Sequence, residues 1–157
     1  MTEIAENLQR LGIELPDLPA PQYSYVPFNR QGNNLYVSGQ ISRTAAGDIL
    51  AGRVGEDATL EEGIHAAEVA TINLLARIHQ SIGLDNVAQI LKLNVWVNSS
   101  DDFIQQPQVA DGASQLLEAV LGEAGKHART ALPTNTLPQG ALVELDAVVA
   151  VTEAAEV

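Results

Sequence analysis

The run Ala141–Val151, ALVELDAVVAV, constrains the fold more than any other stretch of this chain. Val143, Leu145, Ala147, Val149 and Val151 alternate onto one side, as a strand with one face in a core requires. The other side carries Leu142, Val148 and Ala150 together with Glu144 and Asp146. Two acids in the middle of such a strand need an explanation, because an unpartnered buried carboxylate is costly. A second strand-like run opens at Ala128, and Leu137-Pro138-Gln139-Gly140 separates the two as a turn signal. The expectation is a closing hairpin, with Arg129 one hairpin away from the acid pair.

Upstream, Thr2 to Leu11 predicts a short helix with Thr2 as N-cap and Gly12 as its stop. A Pro-rich arm, LPDLPAPQ, follows and ends at residue 22. Tyr23–Phe28 and Leu35–Ile41 read as strands around a loop at Arg30–Asn34. Gly39 inside the second strand marks a bulge or a close approach of another group to the backbone. A short strand is expected at Asp48–Leu50. Leu60 to Ser81 steps its apolar residues by three and four, which predicts a helix ended by Gly83. Asn86–Asn98 reads as a strand with Leu91, Leu93, Val95 and Val97 on one face. Its other face holds Ile90, Lys92, Asn94, Trp96 and Asn98, a mixture that suits an oligomer surface. Pro107 to Leu121 predicts the last helix. The order implies a single α+β domain over 1–157, a mixed sheet with two helices on one face. The bare sheet face is then available to copies of the same chain.

Composition narrows the function. The net charge is −12, with 8 basic residues against 20 acidic ones, which argues against nucleic acid and anionic membranes as partners. No apolar run is long enough to cross a bilayer, and the N-terminus lacks a signal-peptide pattern, so the expectation is a cytoplasmic protein. Cysteine is absent, and His65, His79 and His127 show no metal-ligand spacing, so no metal site is expected. Phosphate-loop and nucleophile-elbow patterns are missing. Arg129 and Glu144 remain as the pair of interest. Their plain reading is an ion pair tying two strands together. Their functional reading is a guanidinium fork for a small carboxylate and a strand-held carboxylate that orients water.

Several motifs in order resemble the RidA/YjgF family, formerly labelled L-PSP endoribonuclease. They are Leu35–Ile41 (LYVSGQI), Gly47-Asp48-Ile49, the helix stretch Ala67–Leu75, Ile90–Val97 with Asp102-Phe103, and the closing Arg129-Thr130, Leu137-Pro138 and Val143–Ala147. The resemblance implies a chorismate-mutase-like fold and a homotrimer whose sheets line a central β-barrel, with sites in clefts between subunits. It implies cofactor-free hydrolysis of 2-enamine and 2-imino acids to 2-keto acids and ammonia. Arg129 would hold the substrate carboxylate, Glu144 would position the water, and Gly39 would offer backbone. Tyr23 matches the family's tyrosine near the first strand, with Tyr25 as competitor. Ala131 stands where the deaminases often carry cysteine, and their asparagine early in the second helix has no match in Gln106–Ala110. These departures, the Pro-rich arm and the C-terminal tail mark a divergent subgroup. The rival readings are a non-catalytic binder of small carboxylates and the endoribonuclease of the old label, which the acidic charge disfavours.

Overall fold

The structure, a computed structural model, describes residues 1–153. The C-terminal tail after Glu153, one mark of the divergent subgroup, lies outside the described residues. Helix α1 spans Glu3–Leu11, with the Thr2 hydroxyl accepting from the Ala5 N–H and Gly12 closing it at φ 70°. The arm that follows runs along α2, Leu60–Ile82. Arg77 on α2 donates to the Pro19 carbonyl at 2.8 Å, and Gln80 donates to the Leu18 carbonyl at 2.9 Å. The predicted start of α2 holds, as a reciprocal capping box between Thr59 and Glu62.

Five strands form one sheet: β1 Phe28–Gln31, β2 Asn34–Ile41, β3 Val87–Asn98, β4 Ala128–Thr134 and β5 Val143–Val151. Their spatial order is β1-β2-β5-β3-β4. Helices α2 and α3 (Gln106–Leu121) pack on one face, and α1 rests on α3 through Asn7, which donates to the Val120 carbonyl. Leu74, Leu75, Ile78, Leu93, Val95, Leu117 and Leu145 are fully buried between the helices and the sheet. This is the expected α+β arrangement with two helices on one face.

Four local expectations are corrected. The first strand is not Tyr23–Phe28, because residues 22–25 form bends and the strand begins at Phe28. Pro21 and Pro27 cannot donate to a ladder, and a two-residue turn at Gly32-Asn33, with Gly32 at φ 60°, draws Arg30 and Gln31 into the strand instead of the loop. The stretch Asp48–Leu50 forms only an isolated bridge, Ile49 to Arg43. In β3 the register slips between Ile90 and Lys92, so Ile90 is fully buried and Leu91 is exposed, the reverse of a strict alternation. Asn98, expected on the polar face, is buried and donates to the Ala141 carbonyl.

The largest correction concerns the end of the chain. β4 and β5 are not a hairpin. β4 pairs parallel with β3, and β5 lies antiparallel between β2 and β3. Two sequence features explain this. A strand, helix, strand order is the usual route to a parallel pair, and Pro133 within β4 suits an edge, where a missing donor is harmless. β5, apolar along its whole core face, takes the centre, where every second residue is buried.

Candidate functional site

Gly39 sits at a register shift between Val37 and Gln40, the bulge its position in the strand predicts. After the bulge Ile41 faces Glu144 of β5. A β-carbon at Gly39 would run into the Glu144 carboxylate, so glycine is needed for the acid to lie against this backbone. Buried Asn73 of α2 pins the strand end by donating to the Ile41 and Arg43 carbonyls at 3.1 and 2.9 Å. Ser38 ties down the segment that leads from Tyr23: its N–H donates to the Pro27 carbonyl and its hydroxyl to the Val26 carbonyl. Tyr23 itself is 81% exposed, while Tyr25 lies close enough to Arg77 to act on its charge.

Glu144 and Asp146 point to the sheet face that the helices leave bare. The register lines up Leu132, Trp96, Glu144 and Ile41 across this face, and Thr130, Asn94 and Asp146 in the next row. Burial raises the Glu144 carboxyl above its usual range, and the Asp146 charge raises it further. Asp146 is raised by burial as well, an effect opposed by the hydrogen bond from Asn94 at 2.9 Å. Among the described residues the Glu144 side chain makes no hydrogen bond or ion pair. It is a partly desolvated, unoccupied acceptor, the condition of a carboxylate able to hold a water and take its proton.

Arg129 is elsewhere. Its place in β4 is level with Leu93 of β3, and its side chain joins the helix side of the sheet at α3. Nη1 donates to Asp111 Oδ1 at 2.7 Å and to Ser114 Oγ at 3.1 Å, while Nη2 makes a long 3.4 Å bond to the Pro107 carbonyl. The Nε–H has no acceptor among the described residues. A guanidinium fixed in this way keeps its Nε–H for a further acceptor, beside an Nη2 held only by the long bond to Pro107. Ala131 follows on the same side of β4, half-buried beside Val95.

Within one chain the structure therefore separates the two residues paired in the sequence reading. Arg129 and Glu144 lie on opposite sides of the sheet, with β3 between their strands, about 10 Å across. Arg129 pairs with Asp111 and not with the acids of β5. What results is two separate candidate half-sites. Glu144, Gly39 and the segment leading from Tyr23 make one, and Arg129, Ala131 and the α3 residues make the other. Sequence reasoning missed Asp111 and Ser114, and it treated His127 only as a non-ligand. The spacing of Asp111 and Ser114 does put them on one face of a helix, but nothing local says that this face meets Arg129. The described residues contain no group of three or more His, Asp or Glu placed to hold a metal. No described helix is long and apolar enough to cross a membrane.

Comparison with known proteins adds a family and close structural relatives. Residues 6–151 match the model of the family described as "YjgF/chorismate_mutase-like, putative endoribonuclease". A Trypanosoma cruzi protein called Protein TCP17 is 44% identical over 148 residues, covering 93% of this chain and 92% of that one. The crystal structure of Atu1372 from Agrobacterium tumefaciens, a protein of unknown function, is 39% identical with a TM-score of 0.87, covering 94% of this chain and 93% of that one. A Shewanella oneidensis crystal structure described as a "putative endoribonuclease" is 32% identical with a TM-score of 0.90, covering 95% of this chain and 99% of that one.

Proposed function

The chain belongs to the YjgF/chorismate-mutase-like family, and from that premise we propose that it hydrolyses small 2-imino and 2-enamino acids to 2-keto acids and ammonia, in a cleft shared by two copies. The observation that carries this reading is the pair of half-sites. Arg129, fixed by Asp111 and Ser114, keeps an open Nε–H on one side of the sheet, and the Glu144 side chain has no partner among the described residues on the other. One copy cannot bring both to a small molecule. A second copy, laid with its bare sheet face toward the Arg129 edge, can. The homotrimer expected from the sequence would repeat that contact three times.

The division of labour follows from chemistry. Arg129 holds the substrate carboxylate side-on and fixes C2 in place. Glu144 of the neighbouring copy orients a water toward C2, and its raised proton affinity makes it a stronger base than an exposed glutamate. Gly39 keeps the backbone beside Glu144 open to substrate. Tyr23, far out in solvent on the single chain, lies in the segment tied to the Glu144 half-site. No cofactor takes part. Several relatives are named endoribonucleases, but a −12 charge gives RNA little to bind, and a single arginine edge suits a small acid better.

The test is ammonia and keto-acid release from imino acids made in place by an amino-acid oxidase. Wild type should accelerate release, Arg129→Ala should not, and Arg129→Lys should retain about 1% of activity or less, because an ammonium cannot reproduce the fork. Mixing inactive Arg129→Ala and Glu144→Ala subunits by unfolding and refolding should restore up to about a quarter of wild-type activity, from sites that draw each intact residue from a different copy. No acceleration by wild type across small and large imino acids would instead favour a non-catalytic carboxylate binder.

A further inference from the structure

Among the helices, away from the bare sheet face, lies a cleft that neither half-site uses. It forms where the end of α1 and the start of the arm cross α2, with Leu116 of α3 and the residues that leave β2 as further walls. Its volume is about 520 Å³, within the usual span of small-molecule sites. Neither Arg129 nor Glu144 lines it. Leu116 stands two residues on from Ser114, which turns it to a different flank of α3.

The walls are fixed before any ligand arrives. Gly12, at φ 70°, turns the chain out of α1, and the Gly12 and Ile13 N–H groups donate back to the Gln9 and Leu8 carbonyls. Farther along, Arg77 and Gln80 hold the arm at Pro19 and Leu18. On the opposite wall the Thr44 N–H donates to the Asp48 carbonyl at 2.8 Å and closes the turn after Arg43.

The polar groups of the cleft lack complementary partners. Asn73 is buried, and its amide nitrogen donates to the Ile41 and Arg43 carbonyls, which can only accept. That fixes the orientation of the carboxamide, and no donor among the described residues reaches its Oδ1. A buried carboxamide ordinarily has partners at both ends. Half-buried Arg43 has no acceptor for its guanidinium among the described residues, and half-buried Glu68 has no donor for its carboxylate. The three are neighbours. Arg43 is bonded to Asn73 through its own carbonyl at 2.9 Å, and Glu68 lies about one helical turn earlier on the same stripe of α2. Glu14 adds a second acid at the exposed rim, and Ile13, Pro16, Val69 and Ile72 supply apolar wall.

We propose that this cleft binds a free amino acid with an apolar side chain. The Arg43 guanidinium takes the carboxylate, which its planar fork suits. The ammonium brings three donors and no acceptor, and donors are what Asn73 Oδ1 and the Glu68 carboxylate lack. The side chain covers Ile13, Pro16, Val69 and Ile72, and the apolar area taken from water adds to binding. A plain carboxylic acid would leave Asn73 and Glu68 without donors, and an alkylamine would leave Arg43 without an acceptor. The inference stands on the cleft alone and does not depend on the activity proposed above.

The experiment is titration calorimetry, with thermal-shift measurements alongside, on wild type, Arg43→Ala, Glu68→Gln and Arg129→Ala. The probes are L-leucine and L-phenylalanine. The controls each lack one part: isocaproate the amine, isoamylamine the carboxylate, and glycine the apolar side chain. Melts without ligand confirm that the variants fold. Leucine should bind wild type and Arg129→Ala alike, with a Kd of about 1 mM or tighter. Arg43→Ala and Glu68→Gln should each weaken it at least about tenfold, and so should each control compound on wild type. No binding of leucine or phenylalanine at about 10 mM overturns the site. Binding that survives Arg43→Ala but is lost in Arg129→Ala overturns it too, by placing the ligand on Arg129. Isocaproate binding as tightly as leucine removes the need for an ammonium and overturns the assignment of the ligand.

Discussion

A single missing β-carbon shows how closely the Glu144 half-site is built. Gly39 is not required by its backbone angles, since its φ lies outside the left-handed range. It is required because Glu144 occupies the space a side chain would take. The atoms in the way are the far end of a flexible side chain, so Gly39→Ala should fold, with a melting temperature within about 4 °C of wild type, or roughly 1 kcal/mol or less. The displaced carboxylate would then no longer hold water in place. Activity should fall at least about tenfold, while binding of a keto acid at Arg129, read by calorimetry, stays the same. A variant that melts far lower would show that Gly39 is structural first.

Among the elements, β3 best shows how a small irregularity redirects side chains. Alternation alone puts Leu91 in the core and Ile90 outside, but the slip before Lys92 reverses them. Two substitutions separate the readings. Ile90→Ala should cost about 2–4 kcal/mol, because it empties a fully buried site. Leu91→Ala should cost less than about 1 kcal/mol, because Leu91 is already 41% exposed. Denaturant melts of the two variants decide the matter, and equal losses would mean that the slip is absent. The same strand explains why Arg129 and Glu144 part company. Inserting β3 between β4 and β5 turns an expected hairpin neighbour into a residue two strands away.

At the scale of the whole molecule, the bare sheet face is the feature that asks for a partner. It presents Tyr36 and Leu132, each about half exposed, beside Trp96 and two acids whose protons are held tighter by burial. A mixed row of aromatic, apolar and carboxylate groups resembles the polar yet aromatic surface of a subunit contact more than one meant for water. With a chain mass of 16.6 kDa, a trimer should scatter light as a particle of roughly 50 kDa at micromolar concentration. Leu132→Glu, which places a second acid in the row of Glu144, should shift the particle toward monomer and take activity with it. A wild-type monomer would remove the shared cleft and with it the proposed site.

Much of this protein was legible in its residues because the signals were local. The capped helices α1 and α2, the alternation in β5 and the glycine in β2 each depend on neighbours within a few positions, and they appear where periodicity and capping place them. The two halves of the candidate site were legible as residue types for the same reason: a guanidinium on one strand, a carboxylate on another. Which of them meet was decided by tertiary structure. Strand order depends on which apolar face gains most from the centre of the sheet and where a proline does least harm, and both are sums over the whole chain. Those sums sent β5 to the middle and β4 to the edge, turned Arg129 toward Asp111 and Ser114 on α3, and left Glu144 facing outward from the opposite side of the sheet.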